Sequence, residues 1–126
     1  MSRNIFKINK GDSFEFLANI PEKADPTKNY ILTANDALYF ALMYPHQDFK
    51  DAILIKGYTY NDHEVDLSTG TVNIQLSHRE TEQLVPGVYY YTVKLYRGGS
   101  FKDLGASIEP DEVRTIIERT KFIVNN

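Results

Sequence analysis

The densest grouping of chemically capable side chains is Asp62-His63-Glu64-Val65-Asp66, three carboxylates and an imidazole within five residues. A divalent metal or a general acid–base pair needs such groups, provided that the chain brings them to one point. The local pattern argues otherwise: on an extended strand His63 and Glu64 point to opposite sides, and no second histidine stands at a matching spacing. The segment reads as a solvated turn. His46, with Asp48 and Asp51, falls in a polar stretch after Pro45, and His78 sits inside a short capped turn at an ordinary exposed position. There is no G-x-S-x-G elbow and no S-x-x-K pair, and Gly98-Gly99 lacks the lysine and following helix of a phosphate-cradling loop. The expectation is a non-enzymatic protein with no catalytic residues, no cofactor and no metal site.

Recognition remains, and the candidates are aromatic. Four tyrosines, Tyr89, Tyr90, Tyr91 and Tyr96, lie within one apolar run. The two-residue period of a strand divides them. Tyr89, Tyr91, Val93 and Leu95 share the more apolar face and are assigned to the core, while Tyr90 and Tyr96, flanking Lys94, are expected to face outward. Tyr90, Lys94 and Tyr96 are therefore the candidate interface residues. An outward tyrosine pair fits a protein contact, a second packed face or a sugar-stacking surface, and the pattern alone leaves these open.

Composition bounds the class. The chain has 126 residues, 42% of them apolar and 25% charged, with a net charge of −3 and no cysteine. That suits one globular domain spanning residues 1–126, held by packing alone. Charges of both signs are mixed along the chain, so no basic face for nucleic acid is visible, and no apolar run approaches the ~20 residues of a membrane span. The N-terminus, MSRNIFKINKGD, lacks the apolar stretch of a secretion signal. Protein partners, or further copies of the chain, are the expected ligands.

The elements that must position these residues are mostly strands. Alternation marks Ile5–Ile8 and Ser13–Ile20 around a Lys10-Gly11-Asp12 turn, and Thr71–Leu76, where Val72, Ile74 and Leu76 share one face. Pro21–Asn29 reads as loop and Tyr30–Thr33 as a short extended piece. Ala37–Tyr44 suits a strand better than a helix, because Pro45 ends it after about eight residues. Ile53–Lys56 and Tyr58–Tyr60 form one extended piece interrupted at Gly57 as a bulge would interrupt it. Ser77 and Glu80 form a capping-box pair that predicts a helical turn over Ser77–Leu84, stopped by Pro86-Gly87. Leu104–Pro110 reads as loop. Glu112–Val124 closes the chain, with Val113, Thr115 and Ile117 alternating and Lys121–Val124 a final short strand; within Asp111–Thr120, Val113, Ile116, Ile117 and Thr120 also fit one helical face, but the threonine and isoleucine content favours strand. The whole is an all-β, immunoglobulin-like sandwich of about eight antiparallel strands with one short helical turn.

Several spacings resemble a known family. They are Lys10-Gly11-Asp12-Ser13-Phe14, Thr33-x-x-Asp36-x-x-x-Phe40, Ser68-Thr69-Gly70-x-Val72-x-Ile74-x-Leu76, Glu80-Thr81-x-x-Leu84-x-Pro86-Gly87-x-Tyr89-x-Tyr91 and Phe122-Ile123-Val124. In order and spacing they resemble the immunoglobulin-like β-sandwich of phage and prophage tail proteins, including the N-terminal domain of baseplate upper proteins. The resemblance runs from Phe6 to Val124, and the segment from Gly98 to Glu112 is longer than the turn it leads one to expect. It implies a virion structural part, made in the bacterial cytoplasm, that joins larger components by protein contacts. A free-standing carbohydrate-binding or adhesive module is the alternative. Leu84-x-Pro86-Gly87-x-Tyr89 also looks like the tyrosine corner of fibronectin-type sandwiches, making Ser77, Glu80, Leu84, Gly87, Tyr89 and Tyr91 structural motif residues.

Overall fold

The structure, a computed structural model, describes residues 4–98 and 112–126. Eight strands form two sheets: β1 Phe6–Asn9, β2 Phe14–Asn19, β3 Asp36–Met43, β4 Leu54–Tyr58, β5 Val65–Asp66, β6 Thr71–Leu76, β7 Gly87–Arg97 and β8 Glu112–Asn125. The helical turn α1, His78–Glu82, lies between β6 and β7. The larger sheet has the order β1-β8-β7-β3-β4 and the smaller β2-β6-β5. Strands two, six and five on one side and three, seven and eight on the other give the immunoglobulin-type Greek key, with β4 as an added edge strand. Every pairing is antiparallel except β1 with β8, which is parallel. In this respect the expectation of purely antiparallel strands is corrected. The expected Leu104–Pro110 loop lies outside the described residues.

With no cysteine, the two sheets are joined by rings. Tyr91 on β7 lies 6.0 Å from Phe16 on β2, 5.8 Å from Phe40 on β3 and 5.2 Å from Phe6 on β1. Phe14 and Phe122 complete the cluster at 5.2 Å from one another. Tyr91, Phe40 and Phe122 are at most 1% exposed. In antibody domains a disulfide from the second strand ends two residues after the corner tyrosine, against a tryptophan on the third strand. Here the residue two positions after the corner Tyr89 is Tyr91, and Phe40 on the third strand stacks on it. Burial pushes the Tyr91 phenol up to about 12, and its O–H donates to the Asn4 carbonyl at 2.6 Å.

The joints between elements use the spaced motif residues. Ser77 Oγ accepts from the Glu80 N–H at 3.2 Å, and Glu80 Oε1 accepts from the Ser77 N–H at 2.8 Å, closing the capping box. Thr81, fully buried, donates to the Asp12 carbonyl at 2.8 Å and so ties α1 to the β1–β2 turn. Leu84 packs into the core, and Tyr89 O–H donates to the Val85 carbonyl at 2.5 Å, forming a tyrosine corner just after Gly87. Gly70, at φ +72°, makes the turn into β6, where a Cβ would meet Asn29 Cβ at 2.8 Å.

Four local expectations are corrected. Tyr30–Thr33 is not a strand: the Tyr30 N–H goes to the Ile20 carbonyl, and Asp36 Oδ2 takes the Thr33 N–H and hydroxyl, each at 2.9 Å, and the Tyr30 phenol at 2.5 Å. Those groups are spent locally instead of in a ladder. The extended piece after Pro45 starts at Leu54 and stops at Tyr58, and a 3₁₀ turn at Phe49–Asp51, unanticipated, precedes it. Gly57 makes no bulge and pairs in register with Tyr39. Its lack of a side chain serves the Tyr39 ring, since a Cβ there would lie 2.7 Å from Cε1. Finally, β8 is one strand of 14 residues with register shifts against Tyr91–Lys94. These shifts put Ile116 and Ile117 both toward the core and leave Val113 and Thr115 outward.

Gly57→Ala is expected to destabilise by about 1–3 kcal/mol, the usual cost of overpacking. In a Tyr39→Ala background the same change should cost less than about 0.5 kcal/mol, because the clash is gone and alanine suits a strand better than glycine. Urea unfolding of the four proteins measures that coupling.

Candidate functional surface

The outer face of the larger sheet carries the candidate interface residues. On β7 it shows Val88, Tyr90, Thr92, Lys94 and Tyr96, and on β3 Ala37, Tyr39, Ala41 and Met43. The upper half of this face is covered. The β3–β4 connection lays Phe49 against Tyr96 at 6.1 Å, and Tyr39 meets Tyr96 edge-on at 5.4 Å. Ala37, Tyr39 and Tyr96 form a second small core with Phe49 and Ile55 against it. This explains why β3 is buried at all eight positions and reads as a continuous apolar run. Tyr96 is 4% exposed, so its assignment as an exposed interface residue is corrected: it points outward from the sheet but belongs to this second core. Desolvation also raises its phenol, with the Tyr39 phenol adding to the shift.

Lys94 is half-buried, its ammonium 4.9 Å from the centre of the Phe49 ring. Tyr90 is half-buried under the Arg119 guanidinium, 5.2 Å away. Arg119 was not singled out from the sequence, yet it fastens the connection. Its nitrogens donate to the Gln47 carbonyl at 2.6 Å and the Pro45 carbonyl at 2.8 Å. Its neighbours, Glu118, Thr120 and Lys121, are polar and gave no signal of that role. A groove of about 430 Å³ runs here between Met43, Phe49, Lys94 and Arg119.

Below Tyr90 the face is open. Lys7 on β1 pairs with Ile123 on β8, Ile123 with Val88 on β7, and Lys121 with Tyr90. Val88 is 45% exposed, Ile5 beside the stripe 59%, and both lysines are exposed. Lysines interleaved with the apolar side chains, Lys7 beside Ile123 and Lys121 beside Tyr90, suit a partner that presents apolar groups and carboxylates side by side.

The other chemically capable residues are occupied by turns. Asp62 Oδ2 accepts from the Thr59 N–H at 2.8 Å, Asp66 Oδ1 from Ser68 at 2.9 Å, and His63 Nε2 lies 3.3 Å from Glu64. Among the described residues, no group of three or more histidines and carboxylates is placed to hold a metal ion. His46 stacks on Tyr44, and His78 is exposed in α1. At one end of the sandwich Glu112 pairs with Arg97 at 3.1 Å and with Lys23, and Arg97 Nε donates to the Tyr30 phenol oxygen at 3.2 Å. No known protein family and no curated protein matches the chain in sequence.

Partial burial acts to raise the Glu80 carboxyl, but the Ser77 N–H and the Lys56 ammonium outweigh it and hold the group below the usual glutamate range. A carboxylate lowered by folding stabilises above its unfolded value and loses that contribution as pH falls through the folded one. Glu80→Gln should therefore cost about 0.5–1 kcal/mol at neutral pH. The gap from wild type should close below about pH 4, read from unfolding curves across pH. Arg119→Met should leave the core intact but release the β3–β4 connection. Amides of residues 47–53 are expected to exchange about tenfold faster in hydrogen-exchange measurements, with β6 and β7 unchanged.

Proposed function

We propose that the protein is a non-enzymatic structural adaptor that works by protein–protein contact, of the kind from which phage-type tails and baseplates are assembled. The observation that carries the contact reading is the stripe of exposed Lys7, Val88 and Lys121 around half-buried Ile123 on the larger sheet, with half-buried Tyr90 at its border. Of the four tyrosines in the β7 run, Tyr89, Tyr91 and Tyr96 are buried, and the contact reading therefore rests on the half-buried Tyr90. The phage-type reading is supported by the spaced motifs, whose residues Asp36, Thr81 and Tyr89 hold the joints of the sandwich. A fold stabilised at its joints leaves its faces free to vary with the partner. The site of action is then the virion, assembled in the bacterial cytoplasm.

A tagged copy expressed while the host assembles tail particles is expected to sediment with those particles through a density gradient. Val88→Glu adds a carboxylate to the middle of the stripe at an exposed position, and it should abolish that co-sedimentation while the melting temperature stays near wild type. A chain that remains wholly in the soluble fraction beside assembled particles would refute the proposal.

A further inference from the structure

The second exposed feature is an edge, not a face. β2 pairs with β6 over six residues without a register break, and its other side makes no ladder with any described strand. Alternate backbone N–H and C=O groups along Phe14–Asn19 therefore point away from β6 and have no ladder partner among the described residues. Natural edges are usually blunted by proline, charged side chains, a bulge or shortness. β2 has only one of these, the charge of Glu15: its outward positions are Glu15, Leu17 and Asn19, and Leu17 is 71% exposed, the highest value among the exposed large apolar residues described. The other edges are weaker templates, since β5 has two residues, β1 has four, and β4 carries Lys56 and Gly57. Beside β2 a slot of about 170 Å³ has a mixed lining, with Asn4 and Asn19 beside Phe6, Phe16, Leu17 and Ile116.

We infer that two copies of this chain pair antiparallel through β2, joining their smaller sheets into one of six strands. The occupant is chosen by register. With Leu17 opposite Leu17 of the second copy, Glu15 falls opposite Asn19 on both sides of the two-fold axis, and Phe16 opposite Ala18. Exposed leucine then covers exposed leucine, each large ring faces a small side chain, and each carboxylate faces an amide. Glu15 uses one oxygen to accept from Asn73 at 3.2 Å and Asn19 one N–H to reach Asn29 at 3.1 Å, so each retains capacity for the new bond. A slip that centres on residue 15 sets two carboxylates against each other, and one that centres on residue 16 sets Leu17 against Glu15. Pairing ends at Pro21, which has no N–H to give. An isologous contact of this kind closes at two copies.

This inference is independent of the proposed function, because it uses the opposite sheet. One strand edge and one leucine per copy make a small interface, so the dimer is expected to be concentration-dependent. Sedimentation equilibrium of the wild-type chain should show monomer passing to dimer, and Leu17→Lys should leave a monomer with an unchanged circular dichroism spectrum. Asn19 variants test the register without touching the core: Asn19→Glu should weaken the dimer about tenfold, and Asn19→Lys should tighten it several-fold, because two symmetric pairs with Glu15 change sign. A wild-type chain that stays monomeric to about 1 mM overturns the inference, as does a dimer that survives Leu17→Lys or responds alike to both Asn19 changes. Val88→Glu should leave the dimer intact, so failure of the adaptor proposal and failure of this one are read from different variants.

Discussion

The packing of Tyr91 between the sheets is the interaction on which the other features rest. A sandwich without cysteine must hold its layers together by contact area, and aromatic rings deliver the most area per residue with few rotamers to freeze. Rings from β1, β2, β3, β7 and β8 meet around Tyr91. The cluster therefore closes both the sheet interface and the parallel β1–β8 edge. The Asn4 carbonyl gives the phenol a partner at the mouth of the sandwich, so the ring reaches the centre without stranding its oxygen. The tyrosine corner two residues earlier fixes the register in which β7 enters the core.

That register sorts the tyrosines into distinct physical roles. Tyr89 and Tyr91 are core residues with their hydroxyls on backbone carbonyls. Tyr96 lies on the opposite face and is covered by a connection that carries its own aromatic, Phe49. Tyr90 sits where that cover ends, under Arg119, and marks the border between structural and open surface. Arg119 saturates carbonyls of the connection that no strand partner reaches, and this lets a loop act as a third layer.

Much of this was legible in the sequence wherever one face of one element decided the pattern. β6 alternates cleanly because its outer face meets water, and the Ser77–Glu80 box and the corner at Tyr89 are local motifs whose partners lie within a few residues. The misreadings share another cause, a partner far along the chain. Gly57 reads as a bulge until Tyr39, 18 positions earlier, is seen to need its space. The apparent alternation of Val113, Thr115 and Ile117 breaks because β7 imposes bulges on β8. Tyr96 looks exposed because nothing near it in sequence announces that Phe49 will cover it. Val65–Asp66 is too short to show a period at all.

Core and corner residues are constrained by the fold, and this restricts where recognition can act. A side chain that seals a joint changes stability when it changes partner, so contact specificity is freest at positions whose loss the sandwich tolerates. Val88, Lys7 and Lys121 on one sheet and Glu15, Leu17 and Asn19 on the other meet that condition by their exposure. The two sets lie on separate sheets with the ring cluster between them, so a change in either is expected to add independently to the other. In physical terms the rigid aromatic centre isolates a face suited to an acidic, apolar partner from an edge suited to a second strand. Each can then be tuned without disturbing the packing that supports both.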